Sequence, residues 1–544
     1  MNTEDKKHFP YQAFIIGALF LSFSPAILNV YFFHDDLFFW DQPSSRHVFP
    51  LICSESIYLG RFLGAVIFWS YFFIVKTVSD LNFIRLITSL VMAYCSLRVY
   101  GLLLKYLKRP IDAALSSVIL FSLPAFGVWV FHAGESFEVY ALVFVIIAAY
   151  AADRIPLQGH LLKRITSHDG LVTIFSLVLS WMIYPSLAAF YWPMALILIL
   201  SQMEEDGKDW REKIGNIYFP GITAALFYAC LYKLRIYFIK LTFISAYQPD
   251  TMTTDLADKC IWLFFTVIPQ CLNLWNIFPN NFLPVFFFLF FAGAVIITLV
   301  EGYKIGFKQT WSKAMGFLLA ALSILILSYL PNLLAAVNFN PYRCAAGLGA
   351  ACVILLIWAL RTYCRFFPDP ARSRIMTLIL GVVCLWGIGS SFYNIDRFRV
   401  QISRIEYSFL RDSLANFHGK LKEIYLVTPR FNGFYHFYDE YGVCPFYFDN
   451  HANAVRLMNA IITGTPAGNN MIWDKFSFRY FYKEQVGPQH SAYSLLKIKV
   501  TEDTKIKLSD STLLIDMNVL YGPFKQAMGR HYNFKVINKR SWGG

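Results

Sequence analysis

Residues 14–36 read FIIGALFLSFSPAILNVYFFHDD, an unbroken apolar run that stops abruptly on His34, Asp35 and Asp36. At 1.5 Å per residue, the stretch from Phe14 to Phe33 is long enough to cross the roughly 30 Å hydrocarbon layer of a bilayer as a helix. The last carbonyls of such a helix carry partial negative charge, which favours Lys, Arg or a neutral cap there and disfavours two aspartates. A carboxylate pair placed against that preference at a membrane boundary is expected to serve chemistry.

The rest of the chain supports the membrane reading. Its 544 residues are 57% hydrophobic and 15% charged, with 53 Phe, 32 Tyr and 13 Trp, and the charges cluster between long apolar runs. That composition predicts a polytopic α-helical membrane protein. Tyr31, Trp40, Tyr184, Trp192, Trp275, Trp386 and Tyr393 stand near run ends, where amphipathic rings anchor at the interface. The first segment follows Lys6-Lys7-His8 and ends without a small-residue cleavage site, so a retained helix is expected rather than a signal peptide.

A net charge of +13 would suit a nucleic-acid partner, but its distribution argues for topology instead. Lys105, Lys108 and Arg109 share one loop; Arg154, Lys163 and Arg164 the next; then Lys208, Arg211 and Lys213; Lys304, Lys308 and Lys313; and Arg361, Arg365, Arg372 and Arg374. These loops fall on alternate sides of the apolar runs, so the positive-inside rule puts them and the N-terminus in the cytoplasm. The 10 Cys show no metal-ligand spacing. Cys260 and Cys271 share an outer loop and can pair, with free thiols the expected state.

About eleven spans are predicted, near 12–33, 83–104, 111–131, 137–152, 170–185, 187–202, 216–235, 281–300, 315–334, 345–361 and 375–392. Tyr184-Pro185-Ser186 closes a tight hairpin between the fifth and sixth. The long first outer loop holds two apolar pieces, 44–60 and 64–75, expected to lie as interfacial helices. The second long loop, 235–280, carries an amphipathic piece at 261–278. An odd number of spans puts the tail outside. Residues 1–392 thus form a membrane domain and 393–544 a small periplasmic α/β domain. The tail opens with an amphipathic helix through Ile402, Ile405, Phe409, Leu414 and Phe417, with strands near 423–428, 494–500, 512–515 and 534–537 and a helix near 453–462.

HDDLFFW after the first span, the Leu59-Gly60-Arg61-Phe62-Leu63 stretch, Tyr184-Pro185 in the hairpin and Pro341-Tyr342-Arg343 before the tenth span together resemble the GT-C membrane glycosyltransferases. Within them, the likeness is to the Gtr-type O-antigen glucosyltransferases of serotype conversion. The resemblance implies an inverting hexosyltransferase of the bacterial inner membrane. It would move a sugar, glucose in that family, from a polyprenyl-phosphate donor to a hydroxyl of an O-antigen or other surface glycan on the periplasmic face. A donor synthase and a donor-sugar flippase would be its partners, and no nucleic acid. No cofactor is demanded; outer acids offer a place for a divalent ion, but no ligand spacing requires one.

That chemistry needs one carboxylate to take the acceptor proton and positive charge to steady the departing phosphate. Asp35 and Asp36 are the acid candidates, one as base and the other as a helix cap or an orienter of a cation; the alternative is a solvated boundary with two ordinary acids. Arg61 and Arg343, outer-face arginines against the positive-inside bias, are the phosphate candidates, with Tyr342 beside the latter. Snorkelling is the plainer account of Arg61. Lys233 and Arg235 end the seventh span, where ordinary headgroup anchoring competes with a role in binding the lipid phosphate. Glu55, His132, Glu135 and Glu138 complete the outer polar set. His132–Glu135 reads equally as an exposed turn, and Glu138 as an acid favoured by a helix start. The competing classes are a transporter or lipid flippase, which would place charges inside spans, and a glycan polymerase or ligase. In the second span, Arg85 and Arg98 are nearly the only such charges, both near its ends.

Overall fold

The computed structural model describes residues 3–31, 36, 60–156, 160–204, 210–242, 255–277, 282–305, 309–335, 338, 341–415, 423–428, 477–482, 505–509 and 512–516. Among these, eight helices are long and apolar enough to cross a membrane: His8–Leu28, Asp80–Leu107, Ala133–Arg154, Pro185–Met203, Arg211–Leu234, Phe282–Val300, Tyr342–Cys364 and Asp369–Ser413. The pair Pro110–Phe121 and Pro124–Phe131, bent by 61°, has the length and composition of either a ninth, broken span or a re-entrant loop. Pro124 explains the bend: it lacks an amide hydrogen and drives Leu123 into extended geometry (φ −59°, ψ 148°). The chain is therefore a helical polytopic membrane protein. The two remaining expected spans are shorter apolar helices, His168–Ile183 and Ala314–Leu327. His168–Ile183 nevertheless reaches both ends of the bundle. Its Asp169 pairs with Arg154 at one end, and the Tyr184 ring after it lies under Arg61 at the other.

The first helix corrects an expectation. It runs Thr3–Leu28, not to Phe33. Asn29 ends it: its Nδ2 donates to the Pro25 carbonyl at 2.8 Å, satisfying one of the acceptors left open at a helix terminus. Asp36 therefore does not sit on the C-terminus of that helix, and for it the conflict with the helix dipole is absent.

The basic loops gather at one end of the bundle. Lys105 and Lys213 both pair with Asp153, Arg164 with Glu212, and Arg154 with Asp169. Arg109 donates to the Ser373 carbonyl at 2.7 Å, and Arg361 to the Tyr106 carbonyl at 2.9 Å. Helix Tyr342–Cys364 lies in the middle of the assembly, mostly buried, whereas Phe282–Val300 exposes Phe282, Phe286, Phe288 and Leu289 on its flank. An outward apolar face of that kind suits lipid rather than water.

Helix Phe62–Ile74 stands where the second interfacial piece was expected and packs inward, its Phe68 ring 5.2 Å from that of Phe137. The amphipathic piece of the second loop forms helix Leu256–Trp262, a π turn Leu263–Val267 and helix Ile268–Leu272. Cys260 and Cys271 are free thiols. Helix Asp369–Ile395 continues through the π turn Asp396–Val400 into Gln401–Ala415. The compositional change at Tyr393 thus falls inside a continuous helix. Beyond it, β1 (Glu423–Thr428), β2 (Ser477–Tyr482), β3 (Lys505–Ser509) and β4 (Thr512–Asp516) form a sheet of order β2-β1-β4-β3. β1 is parallel to both neighbours, and β3 is antiparallel to β4. Two expected strands, 423–428 and 512–515, fall on β1 and β4; 494–500, 534–537 and the helix near 453–462 lie outside the described residues.

Candidate active site

At the end of the bundle opposite the basic loops, the chain makes a short 3-10 turn, Ala133–Val139. His132 leaves helical geometry (φ −109°, ψ 89°) and ends helix Pro124–Phe131, and Ser136 Oγ closes the turn on the Ala133 carbonyl at 2.7 Å. Every residue of the turn is buried, which overturns its reading as an exposed loop. Three acid–arginine pairs, each with its acid buried, meet on it.

The first involves Asp36. One carboxylate oxygen accepts from the Gly134 amide at 2.6 Å, and the other meets Arg85 Nη2 at 2.7 Å. The amides at the start of a helical turn lack partners within it and carry positive partial charge, so an anion is favoured there. Asp36 is thus set on the N-terminal side of a turn far along the chain. Arg85, in the second turn of helix Asp80–Leu107, also donates to the Tyr31 carbonyl at 3.0 Å and to Asn82 Oδ1 at 3.2 Å. Its guanidinium lies 3.7 Å from the centre of the Tyr31 ring. Burial pushes the Tyr31 phenol well above its usual range, which keeps it a donor, and it gives its hydrogen to the Phe131 carbonyl at 2.9 Å. The side chains of Asp36 and Arg85 are 0% exposed.

The second pair joins Arg61 to Glu138 at 2.8 Å, with the acid's other oxygen accepting from Trp129 Nε1 at 2.9 Å. Burial disfavours the Arg61 charge, but the Glu138 carboxylate outweighs it and holds the group above its ordinary value. The Arg61 guanidinium also sits 4.6 Å over the Tyr184 ring. The third pair joins Arg343 to Glu135, whose second oxygen lies 3.0 Å from His132 Nδ1. Arg343 belongs to the 3-10 turn Tyr342–Ala345 that leads into helix Ala346–Cys364, and Tyr342 beside it is buried.

The structure thus brings together Asp36, Arg61, His132, Glu135, Tyr342 and Arg343 of the sequence candidates. It changes their roles. Arg61 and Arg343 do not stand ready for a phosphate; each holds a carboxylate. Glu138, discounted as an ordinary helix-start acid, is the fully buried partner of Arg61. Arg85, weighed only as a transporter-type charge, is the partner of Asp36. Its position within an apolar helix was the signal, because intramembrane charges are costly and mark functional sites. Lys233 is exposed on helix Trp210–Thr242; Tyr228, further back on that helix, reaches the loop before Arg61, its hydroxyl donating to the Gly60 carbonyl at 3.4 Å. Asp35, Glu55 and the side chain of Arg235 lie outside the described residues.

Comparison with known proteins gives no matching family model and no matching curated protein.

Proposed function

We propose that this protein is a membrane glycosyltransferase of GT-C type. It would move a hexosyl group, glucosyl by resemblance, from a polyprenyl-phosphate donor to a hydroxyl of an O-antigen or other surface glycan. The observation that carries this reading is the gathering of three buried acids, each paired with an arginine, around Ala133–Val139, at the end of the bundle away from the basic loops. Charge buried at that depth costs several kcal/mol per ion by general estimate and is kept where it serves a function. The positive-inside rule makes that end periplasmic, in a bacterial inner membrane, with 393–544 as a periplasmic α/β domain.

In this reading the two aspartates divide the work. Asp36, with one oxygen on Arg85 and the other on the Gly134 amide, has both oxygens engaged and serves to position the loop. The base is then Asp35, and Arg343 supplies positive charge for the phosphate leaving group, while Arg61 stays on Glu138. The test is sugar transfer in membranes from a polyprenyl-phosphate donor to glycan. Asp35→Asn should insert normally and lose transfer by at least about 100-fold, the scale of a missing general base. Transfer at the wild-type rate would refute the base, and substrate movement without a new glycosidic bond would favour the transporter. One observation favours that alternative: Arg85 is buried within a span. It is sealed against Asp36, however, rather than lining a path.

A further inference from the structure

The three pairs are not equivalent. Asp36 and Glu138 are both 0% exposed, and each has both oxygens engaged, by Arg85 with the Gly134 amide and by Arg61 with Trp129. Breaking either pair would leave a carboxylate buried and short of a donor, which is strongly destabilising. Glu135 differs in two respects. Its own carboxylate is 7% exposed where the other two acids are fully enclosed, although Arg61, at 22%, is more exposed than Arg343, at 12%. The second Glu135 oxygen lies 3.0 Å from His132 Nδ1. A Glu135 carboxylate that lets go of Arg343 still has the His132 ring beside it.

From this difference we infer that Glu135 is a displaceable counter-ion: it occupies the Arg343 guanidinium in the empty site, and the phosphate of a polyprenyl-phosphate ligand replaces it there while Glu135 falls back on His132. The inference rests on the glycosyltransferase reading and adds a specificity rule to it. A guanidinium accepts a carboxylate or a phosphate in the same two-donor geometry, so an oxyanion can take Glu135's place and an uncharged lipid alcohol cannot. Glu135 therefore weakens every ligand for Arg343 and excludes those without the charge to compete.

The full-length protein in phosphatidylcholine nanodiscs provides the test, with a polyprenyl monophosphate as probe and uncharged polyprenol, phosphatidylglycerol and inorganic phosphate as parallel arms. Removing the competitor with Glu135→Gln should tighten polyprenyl monophosphate binding about tenfold, a shift of about 1.4 kcal/mol, and leave polyprenol unchanged. Arg343→Gln should weaken it at least as much. Glu138→Gln should not tighten it. Unchanged or weaker binding in Glu135→Gln, tightening in Glu138→Gln alone, or an equal gain for phosphatidylglycerol or inorganic phosphate would overturn the inference. A second readout uses the unmodified protein, so that a folding defect in a variant cannot mask the answer. Amide exchange in Ala133–Val139 should rise when polyprenyl monophosphate binds, because Glu135 lets go of Arg343; a fall would count against displacement. The two readings fail differently. Normal transfer with no tightening in Glu135→Gln removes only the counter-ion, whereas tightening without any sugar transfer removes only the transferase.

Discussion

Two acid–arginine pairs, one from each end of the bundle, use the same side chains in opposite ways. At the basic end, Arg154 pairs with Asp169 while 63% and 25% exposed, and Lys105 meets Asp153 while half exposed. At the other end, Arg85 and Asp36 pair with no exposure at all. Water and salt screen the first kind, and exposed pairs contribute about 0–1 kcal/mol. The second kind sits in a low-dielectric setting where the pair barely offsets its own desolvation, yet losing one partner is severe. The basic end therefore reports how the chain is oriented, and the opposite end reports what it is built to hold.

The largest expected effect tests that contrast directly. Asp36→Asn or Arg85→Gln should destabilise the folded protein by about 3–5 kcal/mol, the cost of stranding one buried charge, as measured by reversible unfolding in detergent. Replacing both, with Asp36→Leu and Arg85→Met, should restore most of that stability, because apolar substitutes for a buried pair are often neutral or better. Transfer activity should stay lost. Activity returning with stability would mean that the pair only holds the fold together.

How much of this was legible beforehand follows from the range of each signal. Spans are local, so the apolar runs and the basic loops could be read directly, and the Tyr184-Pro185 break lies where it was expected. The end of the first helix was misread because Asn29 sits inside an otherwise apolar run, and its side-chain bond to Pro25 outweighs the hydrophobicity of the residues that follow. Which acid meets which arginine could not be read. Asp36 and Arg85 are 49 residues apart and Arg61 and Glu138 77, and no periodicity links positions on separate elements. The polar outer set was found, but its members were taken for ligands of a substrate when they are first ligands of one another.

An intermediate effect is expected at Glu138. Its carboxylate accepts from both Arg61 and Trp129 Nε1, so Glu138→Gln keeps the shape but loses the charge-assisted bond, at about 1.5–3 kcal/mol. Gly64, one turn past Arg61, tests the same pair sterically. An added Cβ would stand 2.9 Å from the Ile183 carbonyl oxygen, a backbone atom with little room to yield, and 3.0 Å from the Phe137 ring. Gly64→Ala should therefore cost about 1–3 kcal/mol through overpacking. It should also lower transfer by shifting helix Phe62–Ile74 and drawing Arg61 off Glu138. Transfer unaffected by Gly64→Ala, with the protein stably folded, would mean that the Arg61 position is not critical.

The smallest effect belongs to the exposed pair at the basic end. Arg154 ends helix Tyr140–Arg154 and Asp169 opens His168–Ile183, so each already sits where the helix dipole favours its charge. Their mutual attraction adds little beyond that, and two long side chains must be ordered to obtain it. Arg154→Ala should therefore change stability by no more than about 1 kcal/mol, with the effect smaller still in high salt, and leave transfer per correctly inserted molecule untouched. Its visible consequence should be topological: with one fewer positive charge in that loop, a larger fraction of molecules should insert inverted, detectable by labelling cysteines placed at the two ends. If Arg154→Ala instead matched Arg85→Gln in its cost, exposure would not be what separates the two ends, and the functional weight given to burial at the site would lose its footing.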